Sequence, residues 1–140
     1  MKMFATLYDE HHQLLSTADA YLAALRQPAP SAGEIPRLRA QLGTILMRHR
    51  TAEETLLLGP FLAAGGYDAL PAVLGHVQTI RDEWLAYSEH VRSWTPQMIE
   101  ADRPGYIAAV AERVKVLHAF AEYEEREVHD PIISFLDQRQ

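Results

Sequence analysis

The chain has 140 residues, 48% hydrophobic and 23% charged, with a formal net charge of −6 and a pI near 5.6. That length closes one core, expected to span residues 1–140, and the acidic balance excludes the clustered Lys and Arg that nucleic-acid phosphates or anionic membranes require. The complete absence of cysteine removes disulfides, thiolate metal sites and thiol nucleophiles together, so any metal must be held by nitrogen and oxygen.

At the N-terminus, Asp9, Glu10, His11 and His12 arrive too early for the apolar core of a signal peptide. No apolar run approaches the ~18 residues of a membrane span, so the expected address is the cytoplasm. Phe4, Leu7, His11, Leu14, Ala18, Tyr21 and Leu25 recur at steps of three and four, the stripe of an amphipathic helix. "RQPAPSAGEIP" breaks it. Ser31 with Glu34 reads as a capping box and Pro36 suits a first turn, so a second helix runs through Leu38, Leu42, Ile45, His49, Glu53 and Leu56, ended by Gly59-Pro60 and Gly65-Gly66. A third opens around Asp68 to Pro71 and carries Val73, His76, Ile80, Glu83, Tyr87 and His90 until Thr95-Pro96. After Asp102-Arg103-Pro104, a fourth carries Ile107, Val110, Val114, His118, Ala121/Glu122, Glu125 and His129, with a break at Asp130-Pro131. No segment alternates with period two. The fold class is all-α, and four such helices pack most simply as an up-down-up-down antiparallel four-helix bundle.

Two helices carry His-x-x-x-Glu, as His49 to Glu53 and His118 to Glu122, and the other two carry His11 and His76. Residues four apart share one helix face, and counting from the turns brings all six groups level in one layer of the bundle. A single His/Glu pair at this spacing is ordinarily an exposed ion pair worth a few tenths of a kcal/mol. Two pairs on core stripes are different. Each buried carboxylate without a partner costs several kcal/mol, untenable in a domain stable by ~5–15 kcal/mol, so a cation must compensate. Four imidazoles and two carboxylates suit iron or manganese better than calcium or magnesium, and two bridging carboxylates fit a pair of ions better than one.

The residues that carry this pattern, His11 in "DEHHQLL", the stretch "HRTAEETLLLGP", His76 in "LGHVQTI" and His118 to Glu122 in "HAFAE", make the chain resemble the hemerythrin-like, or HHE, cation-binding domains over nearly its whole length. The resemblance implies two non-haem irons with a bridging oxo or hydroxo group. His11, His49, His76 and His118 would be terminal ligands, with Glu53 and Glu122 bridging. Oxygen-carrying members place a second histidine one turn along the third helix, where this chain has Ile80, and an aspartate five residues after the histidine on the fourth, where this chain has Glu122 at four. An open coordination position then implies binding, sensing or detoxifying oxygen, nitric oxide or peroxide, alone, with a protein partner or as a homo-oligomer.

His11 shares the stripe of Leu7 and Leu14 and is preferred to His12. His90 lies 14 residues beyond His76, about 21 Å along a helix, too far to join. Glu125 is read as support for a ligand and His129 as a cation at a helix end. Trp84, Tyr87 and Tyr106 are read as packing aromatics. Leu14, Ile45, Leu56, Ile80, Val114 and Leu117 would wall the site from water. Two other readings remain: a mononuclear metal-dependent transferase or hydrolase on a similar bundle, as in DinB-like proteins, and a metal-free helical interaction module.

Overall fold

The structure is a computed structural model that describes residues 2–28 and 33–139, with side chains of the first helix described from Ala5. The protein is all-helical, and no strand occurs among the described residues. The elements are α1 (Lys2–Leu25), α2 (Glu34–Glu53), a π turn (Glu54–Leu58), α3 (Gly59–Ala63), α4 (Gly66–Ala69), α5 (Ala72–Ser93), α6 (Pro96–Ala101), α7 (Arg103–Glu124), a second π turn (Glu125–His129) and α8 (Asp130–Asp137). Four are long: α1, α2, α5 and α7. No described helix is long and apolar enough to cross a membrane. Two residues used above, Phe4 as a stripe residue and Ser31 as a cap, lie outside the described side chains.

Local chemistry sets several boundaries. Thr95 accepts the Met98 amide through its hydroxyl oxygen at 3.3 Å, and Asp102 accepts the Gly105 amide at 3.0 Å, each followed by a proline suited to a first turn. Gly65, with φ of 74°, supplies the left-handed residue that lets the chain turn after α3. The expectation that Gly59-Pro60 and Asp130-Pro131 end their helices is corrected, because helix continues to Ala63 and to Asp137.

The reason is the π turn before each proline. A proline has no amide hydrogen, and its ring presses on the carbonyl four residues back. Here the preceding amides reach one residue further: Gly59 N–H donates to the Glu54 carbonyl and Asp130 N–H to that of Glu125. The chain thereby absorbs the proline as one widened turn without breaking. Each π turn begins directly after a buried glutamate, Glu53 in one case and Glu124 in the other.

The apolar interior lies in two clusters. Leu7, Leu57, Leu58, Phe61, Val73, Val128 and Ile132 form one, and Ala18, Tyr21, Ala24, Leu25, Leu38, Tyr106, Val110 and Val114 form the other. Within the first, Phe61 packs edge-on to Tyr67 and Phe135 at ring separations of 5.2 and 5.3 Å. A Cβ on Gly66 would lie 2.3 Å from the Phe61 ring. Gly66→Ala is therefore expected to cost about 1–3 kcal/mol, read from the shift in urea midpoint. A midpoint unchanged within error would mean that the ring can give way.

Candidate metal centre

Between the two clusters sits a layer of buried polar side chains. His11 follows Leu7 by one turn on α1, His49 follows Ile45 on α2, and His76 follows Val73 on α5. Glu53 closes α2, Glu124 closes α7, and His129 closes the second π turn. All six are buried, with Glu124 at 2% and His129 at 0% relative exposure.

Glu124 is the hub. Its Oε1 lies 2.8 Å from His11 Nε2, 3.4 Å from His129 Nε2 and 3.6 Å from His49 Nε2, while its Oε2 lies 3.0 Å from His76 Nε2. Glu53 Oε2 approaches His49 Nε2 at 3.4 Å and His129 Nε2 at 3.9 Å. The His11 ring lies 4.4 Å from that of His49 and 5.1 Å from that of His129. Two ligand triads result, His11/His49/Glu124 and Glu53/His76/Glu124, each with ligand atoms within 4.8 Å of one another and both using Glu124.

Neighbouring groups orient the rings. Glu125 lies 3.0 Å from His11 Nδ1, in the supporting position expected of it, and Glu10 lies 3.3 Å from His49 Nδ1. Such carboxylates fix which nitrogen of an imidazole faces inward. Phe120 stacks on His76 at 5.4 Å, and the Tyr8 ring stands edge-on to His129 at 6.1 Å while its hydroxyl donates to Asp130.

Electrostatically the cluster holds protons. Burial alone would lower the His49 and His129 pKa values, but Glu124 and Glu53 outweigh it and push them up to about 10 and about 9. For Glu124, burial favours the neutral acid, yet the four surrounding imidazoles hold its carboxyl well below the usual range. Even so, His49 Nε2, both His129 nitrogens, His76 Nδ1 and Glu53 Oε1 are buried without a hydrogen-bond partner. Buried polar atoms are ordinarily satisfied. Several unsatisfied nitrogens and an oxygen around one shared carboxylate are what bound cations would complete, so the residues present fit a metal site.

Four of the six expected ligands, His11, His49, Glu53 and His76, are thus brought together. The other two are not. His118, with its side chain 43% exposed, pairs with Asp19 at 2.8 Å, and Glu122, 79% exposed, faces Arg126 on the surface. The buried line of α7 is Tyr106, Val110, Val114, Ala121 and Glu124, which passes His118 and Glu122 on one side. Glu124 and His129 stand in their place. Residues five apart diverge by about 140° on an α-helix, but the π turn returns them to one face. The order on this helix is therefore carboxylate first and histidine second, the reverse of α2. His12 is exposed, and His90 stacks on Tyr106 at 6.0 Å, away from the layer.

A signal for the missed pair exists in the sequence. Glu53-Glu54 precedes Pro60 as Glu124-Glu125 precedes Pro131, with five residues between the tandem glutamates and the proline in both. A scan against protein-family models, a search of curated proteins and a search of solved structures each returned no match to this chain.

Proposed function

We propose that the chain is a hemerythrin-like non-haem metal protein: an up-down-up-down bundle of α1, α2, α5 and α7 that holds two iron ions, with manganese as the alternative, and meets oxygen, nitric oxide or peroxide. The observation that carries this is the shared Glu124, whose two oxygens face different histidine groups in a buried layer. His11, His49 and His129 would serve one ion and His76 the other, with Glu124 and Glu53 between them. By nitrogen count the two positions would be unequal, with His76 the only imidazole on its side. Bound iron would supply open coordination and one-electron redox chemistry toward such oxidants. Glu125 and Glu10 would hold rings in place, and the apolar clusters on both sides would limit water.

The test is metal analysis with an absorption spectrum of protein expressed in iron-rich medium, before and after reduction. About two irons per chain are expected. One zinc per chain would favour a mononuclear centre, and no metal at all would sink the proposal.

Loading must also displace protons. His49 and His129 carry protons up to pH about 10 and about 9 in the metal-free cluster, and a metal takes only the neutral imidazole. Metal affinity should therefore rise as pH increases from 6 toward 9, with proton release on loading measurable in weakly buffered solution. An affinity flat over that range would exclude these histidines as ligands.

A further inference from the structure

One face of the layer opens into a cavity of about 780 Å³ between α2, α5 and α7. This is within the range of pockets that hold small organic molecules, and much larger than a diatomic gas needs. Of α5, only Val73 and His76 are fully buried. The half-buried remainder of its inner face lines the space with Leu42 and Leu46 of α2 and Leu117 and Phe120 of α7. His11, His49, Glu53 and Glu124 line one region of the cavity, and Tyr87, His90 and Arg113 line another. Arg113 and Glu124 are 11 residues apart on α7, about 16 Å along the helix.

The Arg113 region offers an unpartnered donor, although Glu83 also lines it. Arg113 binds Glu83 through Nη2 at 3.2 Å, but its Nε is buried with no partner. The Tyr87 hydroxyl has no hydrogen-bond partner among the described residues, and Arg39 adds positive charge nearby. Between this region and the metal layer the walls are mainly leucine, valine, isoleucine and aromatic side chains. Exposed Met47, Leu62 and Leu74 also border the cavity and offer an apolar entrance.

We propose that the cavity binds a medium-chain alkyl carboxylate, its head held by Arg113 and Tyr87 and its tail running toward the His/Glu layer. An unpartnered guanidinium N–H and a phenol match a carboxylate head, and the apolar walls match a flexible chain. Binding itself does not require metal. Only the placement of the tail beside a metal centre rests on the proposed function.

Calorimetric titration of the full chain with dodecanoate tests this, on protein of known metal content and again after chelation. Saturable binding of one molecule per chain is expected in both states. Arg113→Gln should weaken it about tenfold or more without altering metal content, and Leu117→Trp should block the passage. Tyr87→Phe, expected to weaken binding several-fold, serves if Arg113→Gln does not fold. Absence of saturable binding, equal affinity for dodecan-1-ol, or wild-type affinity in the folded variants would each overturn the proposal. A failure of metal loading with dodecanoate binding intact would overturn only the metal centre.

Discussion

Glu124→Ala is expected to abolish metal binding and to destabilise the metal-free protein by about 3–5 kcal/mol, the cost typical of stripping one partner from a buried charged network. Four imidazoles converge on this carboxylate. Without it, His129 would be left with Glu53 and His49 with Glu53 and Glu10, and the layer would hold uncompensated positive charge. Glu124→Gln separates the two effects. It keeps the shape and one acceptor while removing the charge, so it should lose metal and yet fold. His118→Ala and Glu122→Ala are the matched controls, expected to retain wild-type metal content because both side chains lie at the surface. Iron content by mass spectrometry and the urea midpoint decide the matter. Metal lost from the two surface variants and kept in Glu124→Gln would restore the spacing-based assignment.

Chelation should lower the melting temperature on the order of 10 °C. A ligand that binds only the folded state adds RT ln(1 + [L]/Kd), about 2.7 kcal/mol at a hundredfold excess over Kd. In a domain of this size a kcal/mol is worth roughly 3–4 °C. The candidate ligands come from α1, α2, α5, the end of α7 and the π turn after it, elements far apart in sequence, so a bound pair of ions would tie them as a staple does. Calorimetry with and without chelator, followed by iron restoration, provides the reading. An unchanged melting temperature would mean that the layer is held by its own ion pairs alone.

Much of this was legible in the sequence because helices announce themselves locally. The third long helix ends just before Thr95-Pro96 and the fourth starts at Asp102-Arg103-Pro104, as their chemistry predicts, and His11, His49, Glu53 and His76 follow stripes with steps of three and four. The fourth long helix defeated the same reading for two physical reasons. From Val110 and Val114 its buried line runs on to Ala121 and Glu124, so a further step of four from Val114 lands on His118 at the edge. Beyond Glu124, the partner is five residues away, a spacing that a period of 3.6 cannot report. The tandem glutamates and prolines of the two π turns share one spacing, but the residues around them differ. Where α2 has His49, α7 has Phe120, stacked on His76, and where the first π turn has Leu58, the second has His129. Aligning the two tandem glutamates and their prolines, in place of the two His-x-x-x-Glu patterns, selects Glu124.

The π turns make the centre sensitive to counting as well as to chemistry. A single extra residue in each helix aims the chain beyond it, placing His129 and Ile132 in one case and Phe61 in the other. Deleting one residue between Glu125 and Val128 would let the helix rewind, swinging α8 by roughly a quarter turn while every retained side chain kept its identity. Such a shortened chain would preserve the composition of the site and lose its alignment, as a combination lock does when one wheel slips. Substitutions at the same positions, many of them exposed, would be borne far more easily than the loss of a place.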